Sequence, residues 1–352
     1  MTFDWPTTAA RGKLPRKNAS RAEADASLTF EASTRHATAG QPSYYLPRAF
    51  NGIDMRPRAF CVAERDPEAQ LLDRERPYVR SAADVVRSAT TLWKGVAISG
   101  RVEVRYLYAT SLSVEPYRLA PLKLAVLPVL LPPAGKLEVI SQQAVLNQGD
   151  VGMAQWLADC EAAFAAGLQR AGRPKRGTMI DYINVQNKLA EHLPQRPRVV
   201  WGKGGSNVRA AVVPHDVQAV DGLPVQGYVV DLNQYSVVCG DMDEAHYLCA
   251  VLNTNLVNQA IKAVQTVGQQ GERDIHRRPL EEVPIPRYRS TDSIHRKLSD
   301  LSREAHKRAP KITVNSHGAR KRYYEQLGQL AADIEELSLG LVQGAREQGT
   351  AA

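Results

Sequence analysis

The sequence predicts an α+β fold: a mixed or antiparallel β-rich domain braced by a long helix, then a helical hairpin or coiled-coil unit. Three observations predict it. Period-two and continuous apolar runs concentrate between residues 44 and 240. One broadly apolar helical pattern covers 241–267, and apolar residues at alternating spacings of three and four fill 294–341. At 352 residues and 43% apolar, the chain can build two packed units.

Residues 1–42 are rich in Ala, Ser, Thr, Arg and Lys without periodicity and read as a flexible basic arm. An α+β domain is expected over 43–290. In it, "RVEVRYLYATSL" alternates at period two and "LKLAVLPVLL" is a nearly continuous apolar run. A helix should follow, capped by Asp150, with Met153, Trp156, Leu157, Cys160, Phe164 and Leu168 on one stripe, ending at "GRPKRG". "RPRVVWGKGG", "VRAAVVP" and "GYVVDLNQYSVVC" form a second β block. Asp241 and Glu244 resemble a capping box for the next helix. Leu248, Leu252, Leu256, Ala260 and Val264 are its ridge, and Gly268 its stop. A C-terminal helical unit over 291–345 carries Ile294, Leu298, Leu301 and Ala305. It continues with Tyr323, Leu327, Leu330, Ile334, Leu337 and Leu341 at the 3.5-residue period of a seam. Two uses fit residues 294–342: a hairpin folded on itself, or self-association or contact with a partner.

The formal charge of +8 and the pI near 9.3 suit a polyanionic partner. Cys61, Cys160, Cys239 and Cys249 are scattered among apolar neighbours and form no C-x-x-C pair, so they read as buried thiols in a reducing cytoplasm. The N-terminus lacks the apolar core of a secretory signal. The run "LAPLKLAVLPVLLPP" is too short and too proline-rich to span a bilayer, so no membrane is expected. Several chemistries have no signature here. There is no G-x-x-x-x-G-K-[ST] loop, no E-x-K triplet and no G-x-S-x-G elbow, and no two histidines stand closer than eleven residues. The sequence thus holds no self-contained catalytic site, no cofactor-binding motif and no metal motif.

The basic stretch "GQQGERDIHRR" follows the apolar helix and closes on Pro284 and Pro286. Gln269, Gln270, Arg273, Arg277 and Arg278 are side chains suited to base edges or phosphates: arginine can grip guanine and glutamine adenine, each bidentately. A salt-laced surface formed with Glu272, Asp274, Glu281 and Glu282 accounts for the same composition. Lys203 lies between glycines, which let a main chain approach a phosphate closely. Arg56 and Arg58 flank Pro57 and suit either phosphates or partner carboxylates. Trp201 and Trp93 read as core, and Asn253 as a brace of the helix against the sheet.

The order of these signals resembles the C-terminal target recognition region of N6-adenine DNA methyltransferases of the TaqI-like, restriction–modification kind. "FNGIDMRPRAFCV" looks like the segment that opens this region, and "RVVWGKGGSNVRAAVVP" is similar to its central strand pair. "DEAHYLCAVLNTNLVNQAIKAV" and "GERDIHRRPLEEVPIPRY" match the patterns that close it, and the collinear succession covers about three quarters of the chain. The glycine-rich S-adenosylmethionine loop and the Asn/Asp-Pro-Pro-Tyr/Phe motif of such enzymes are absent. The resemblance therefore implies a specificity module for double-stranded DNA, not catalytic alone. It would act in restriction–modification or phage defence beside a separate methyltransferase subunit that binds S-adenosylmethionine. The competing expectation is an assembly subunit joined through its C-terminal helices, with incidental DNA binding. A third is a remnant of a longer enzyme.

Overall fold

The computed structural model describes residues 2–6, 16–20, 42–67, 73–133, 135–174, 177–262, 264–265, 274–312 and 319–350. Near the N-terminus, Thr2–Pro6 pairs antiparallel with Arg16–Ser20. Nine further strands build two sheets. They are β1 (Ala49–Asn51), β2 (Val62–Arg65), β3 (Tyr78–Ser81), β4 (Ser99–Arg101) and β5 (Leu107–Thr110). Then come β6 (Lys123–Val126), β7 (Arg198–Gly202), β8 (Ala210–Val213) and β9 (Gln234–Val238). The first sheet has the order β4-β3-β2-β6-β5 and the second β8-β7-β9-β1, and every pairing within them is antiparallel. The fold is α+β.

The second sheet is the middle layer, and strict alternation puts it there. Val200, Ala211 and Val213 face one core, which they share with the first sheet and with helix α1 (Val151–Arg170). Val199, Trp201, Ala210 and Val212 point the other way, into a second core. That core is completed by α2 (Met242–Leu252), α3 (Asn255–Lys262) and α4 (Arg278–Glu282). Later in the chain α5 (Ser293–Arg308), α6 (Ala319–Leu327) and α7 (Gln329–Thr350) join it. A two-residue period buries both faces of a strand only when both are covered, which is why "RVVW" and "AAVV" read as continuous apolar runs.

The predicted stripe of α1 is buried from Met153 to Leu168. Its cap differs from expectation. Glu103 receives the amides of Gly152 (3.1 Å) and Met153 (2.8 Å), so a residue distant in sequence satisfies the first turn. Asp150 instead accepts from the Tyr106 hydroxyl (2.6 Å) and from Arg105.

The helix expected over 241–267 is two helices. Asp241 does cap α2, accepting from the Glu244 amide at 2.8 Å. The break falls at Asn253, whose amide side chain reaches across to β8. Its Oδ1 accepts from Ala210 N and its Nδ2 donates to Ala210 O, each at 2.9 Å. Thr254 and Glu335 then satisfy the first amides of α3: Val257 N donates to Thr254 Oγ1, while Asn255 N and Leu256 N donate to Glu335. A brace to the sheet and a fresh set of caps outweigh helix continuity.

Helix α5 packs on α2, and α7 packs on α2, α3 and α5. Leu298, Ala305, Leu327, Leu330 and Ile334, all from the seam pattern, lie in the second core of the same chain. The four cysteines are free thiols, all buried, and among the described residues no helix is long and apolar enough to cross a membrane.

Candidate nucleic-acid interface

One end of the middle sheet gathers the sequence-predicted residues that the structure describes. The C-terminal end of β7 meets the N-terminal end of β9 (Gly202 opposite Gln234), and β1 closes beside it (Asn51 opposite Tyr235). Three connections leave this end. The glycine turn 202–205 follows β7, the turn 231–233 precedes β9, and the segment 52–58 follows β1.

A fourth segment is seated on the first. Asp274 bridges Gly204, and the carbonyl of Lys203 accepts from Ile275 N (2.9 Å) and His276 N (3.0 Å). The Lys203 amide donates to the Asn233 carbonyl at 2.7 Å, so the 231–233 turn belongs to the same block. Buried Trp201 donates its indole N–H to the His276 carbonyl at 2.7 Å. His276 has a left-handed φ of 45°, a costly conformation for a residue with a Cβ, and its ring lies 5.7 Å from that of Tyr235. Helix α4 starts immediately after, with Arg277 as its cap residue and Arg278 in its first turn. Lys203, Arg277 and Arg278 therefore come together. Gln269, Gln270 and Arg273, like Gly268, lie outside the described residues. They belong to the stretch 266–273, which precedes Asp274 in the sequence.

Arg56 and Arg58 also reach this end, but both meet carboxylates. Arg58 makes two bonds to Asp231, Nη2 to Oδ1 at 2.6 Å and Nε to Oδ2 at 3.2 Å, and Asp231 is almost fully buried. Asp231 also accepts from Asn233 N at 2.9 Å, so Arg58 braces the turn that holds Lys203. Gly52 is required beside it, because a Cβ there would lie 2.2 Å from the Asp231 carbonyl oxygen. Arg56 is exposed and bidentate to Asp54 (2.8 and 2.5 Å). Arg277 approaches Glu281 at 3.5 Å. Burial, then Glu281, raise the carboxyl of Glu282, and Arg278 draws it back down. Arg278 and Lys203 form no ion pair with a described residue. Among the described residues at this end, Arg278 faces Glu282, and Lys203 is the cation without a carboxylate partner.

Sequence reasoning did not find Asp231, Asn233, Tyr235 or His276. The stretch "DLNQY" holds the first three on a short turn and strand, and its pattern carries no signal apart from β periodicity. Trp201 is core as expected, while Trp93 is half-buried and stacks on Phe164 at 5.6 Å. Among the described residues, no three His, Cys, Asp or Glu side chains cluster to hold a metal ion.

No protein-family model matches the chain, and no curated protein matches it. Among solved structures it is similar to the Type IIL restriction-modification enzyme MmeI in complex with DNA. The TM-score is 0.42 and the identity 7%, over 90% of this chain and 36% of that one. It is also similar to the type IIG restriction endonuclease BpuSI, with a TM-score of 0.37 and 12% identity, over 94% of this chain and 36% of that one. The chain spans about a third of the length of each.

Proposed function

We propose that the chain is a DNA sequence-recognition module that works with a separate S-adenosylmethionine-dependent N6-adenine DNA methyltransferase, in restriction–modification or phage defence. One observation carries this reading. The Gly-Lys-Gly turn and the segment 274–278 are bonded into one block at the sheet end, and in sequence that block directly follows the stretch holding Gln269, Gln270 and Arg273. A rigid base under a polar, arginine-bearing stretch is what groove reading needs, since base contacts lose their discrimination when the presenting backbone drifts. The division of labour follows from the chemistry. Adenine N6 is out of reach in a stacked duplex, so a methyltransferase extrudes the base while other groups hold and read the flanking duplex. S-adenosylmethionine belongs to the partner subunit in this reading. The competing role, assembly through the C-terminal helices, would need a seam whose main residues already pack inside this chain.

Duplex-DNA binding of the purified chain at two salt concentrations tests the proposal, with the Arg273/Arg277/Arg278→Ala variant beside wild type. Binding that weakens with salt and collapses in the variant is expected. Equal binding by both proteins, with and without the methyltransferase subunit added, would sink the assignment.

A further inference from the structure

Beyond α4 the chain runs extended through "VPIPRYR" into α5 and displays arginines that the sheet-end site does not use. Arg287, Arg289 and Arg296 are all exposed, and none forms an ion pair with a described residue. Two carboxylates in this neighbourhood have other partners. Asp292 caps α5 through Ile294 N (2.8 Å) and His295 N (3.3 Å), and Asp241 caps α2. Asp300 shares the neighbourhood of Tyr288 with Arg296 but bridges none of the three.

Their backbone is fixed. Ser43 N donates to Leu280 O (2.9 Å) and Tyr44 N to Ile285 O (3.0 Å). Tyr288 N donates to the Tyr45 hydroxyl (3.0 Å), and Arg289 N to His295 Nδ1 (2.9 Å). Tyr44, 43% exposed, has the guanidinium of Arg287 5.6 Å from its ring centre and that of Arg48 at 5.8 Å. Cation–π contact holds a guanidinium in place and leaves its N–H groups free to meet an oxyanion.

We infer that Tyr44, Arg287, Arg289 and Arg296, near the Val238 end of the middle sheet and away from the glycine turn, form a second, phosphate-binding face that grips the DNA backbone without reading sequence. The inference rests on the reading above as a DNA module. Arg287 and Arg289 stand two residues apart, about 7 Å at roughly 3.3 Å per residue, close to the spacing of two steps along one DNA strand at roughly 3.4 Å each. A protein partner is disfavoured because the face has no apolar centre. Near these arginines only Tyr44 and Ile294 are exposed large hydrophobics among the described residues.

The test is fluorescence anisotropy of the full chain with two duplex oligonucleotides of unrelated sequence, across a salt series. Arg287/Arg289/Arg296→Ala should melt like wild type, since its side chains are exposed. It should bind at least tenfold more weakly at low salt, to the same degree on both duplexes. Its log K against log salt slope should be shallower by roughly 2 to 3, at about 0.9 per phosphate contact. An Arg87/Lys94→Ala variant should keep the wild-type slope. An unchanged slope in the triple variant, with wild type binding normally, overturns the second face and leaves the sheet-end reading intact. A shallower slope alongside a sheet-end variant that binds like wild type upholds the second face and removes that reading. Wild type that binds no duplex, with or without the methyltransferase subunit added, overturns both. Loss of single-stranded RNA or polyglutamate binding, with duplex binding kept, assigns the face to another polyanion and also overturns the inference.

Discussion

Arg58 shows how a residue suited to DNA can be committed elsewhere. Both of its bonds go to Asp231, a carboxylate that water cannot reach, so removing the guanidinium leaves a buried charge unpaired. Arg58→Ala should therefore cost roughly 3 kcal/mol in urea unfolding. Arg58→Lys should recover only part of this, because an ammonium cannot reproduce the two-pronged contact. Four histidines among the described residues contribute to the pH dependence: burial lowers His192 and His295 from the ordinary value, and the pair His246 and His306 is lowered as well. His306 Nε2 accepts from Val212 N at 3.0 Å, which places its proton on Nδ1 toward Ser302 O at 2.8 Å. The two rings lie 4.8 Å apart between α2 and α5. Burial pushes His306 from 6.5 down to about 4, and burial together with His306 pushes His246 to about 3. Both imidazoles hold a proton more weakly folded than unfolded. Their contribution to stability is complete above about pH 6.5 and is lost as pH falls from there toward 4. Urea midpoints measured from pH 7.5 to 4.5 should decline below 6.5, and less steeply in His306→Gln.

At the scale of elements, the patterns that were legible in the sequence are those with a local cause. The α1 stripe, the Asp241 cap and the alternating strands β7 and β8 follow from neighbours along the chain. What stayed hidden depends on partners far away in sequence. Glu103 caps α1 across 49 residues, and Asn253 breaks the long helix because it clamps Ala210, 43 residues earlier. The same holds for the site. Lys203 and the arginines after Asp274 could be named from composition, yet their joining through Asn233 and His276 is a tertiary fact. The motif residues that carry the family resemblance prove largely architectural. Glu244 binds Arg48 (2.9 Å), Tyr247 donates to Pro286 O (3.0 Å) and Thr254 caps α3. The C-terminal helices make a further point. Ile334 is 2% exposed in the second core, so Ile334→Asp should cost roughly 3 kcal/mol or more by burying a charge. That loss should be independent of protein concentration. A concentration-dependent stability would instead mark this ridge as a seam between subunits.

Across the whole molecule, the middle sheet links the two cores and presents its open end to the outside. One core joins it to the first sheet, and the other fixes it to the helices from which the arginine-bearing segments emerge. A recognition module needs this arrangement, with long polar side chains on short connections and a packed scaffold that keeps them in register. Selection from a pool of randomised duplexes, followed by sequencing of the retained DNA, tests the central claim most directly. The account predicts that wild type, alone or with the methyltransferase subunit, enriches one short motif, and that Arg273/Arg277/Arg278→Ala loses it at discrete positions. Retained DNA with no motif beyond the starting pool, under both conditions, would contradict it.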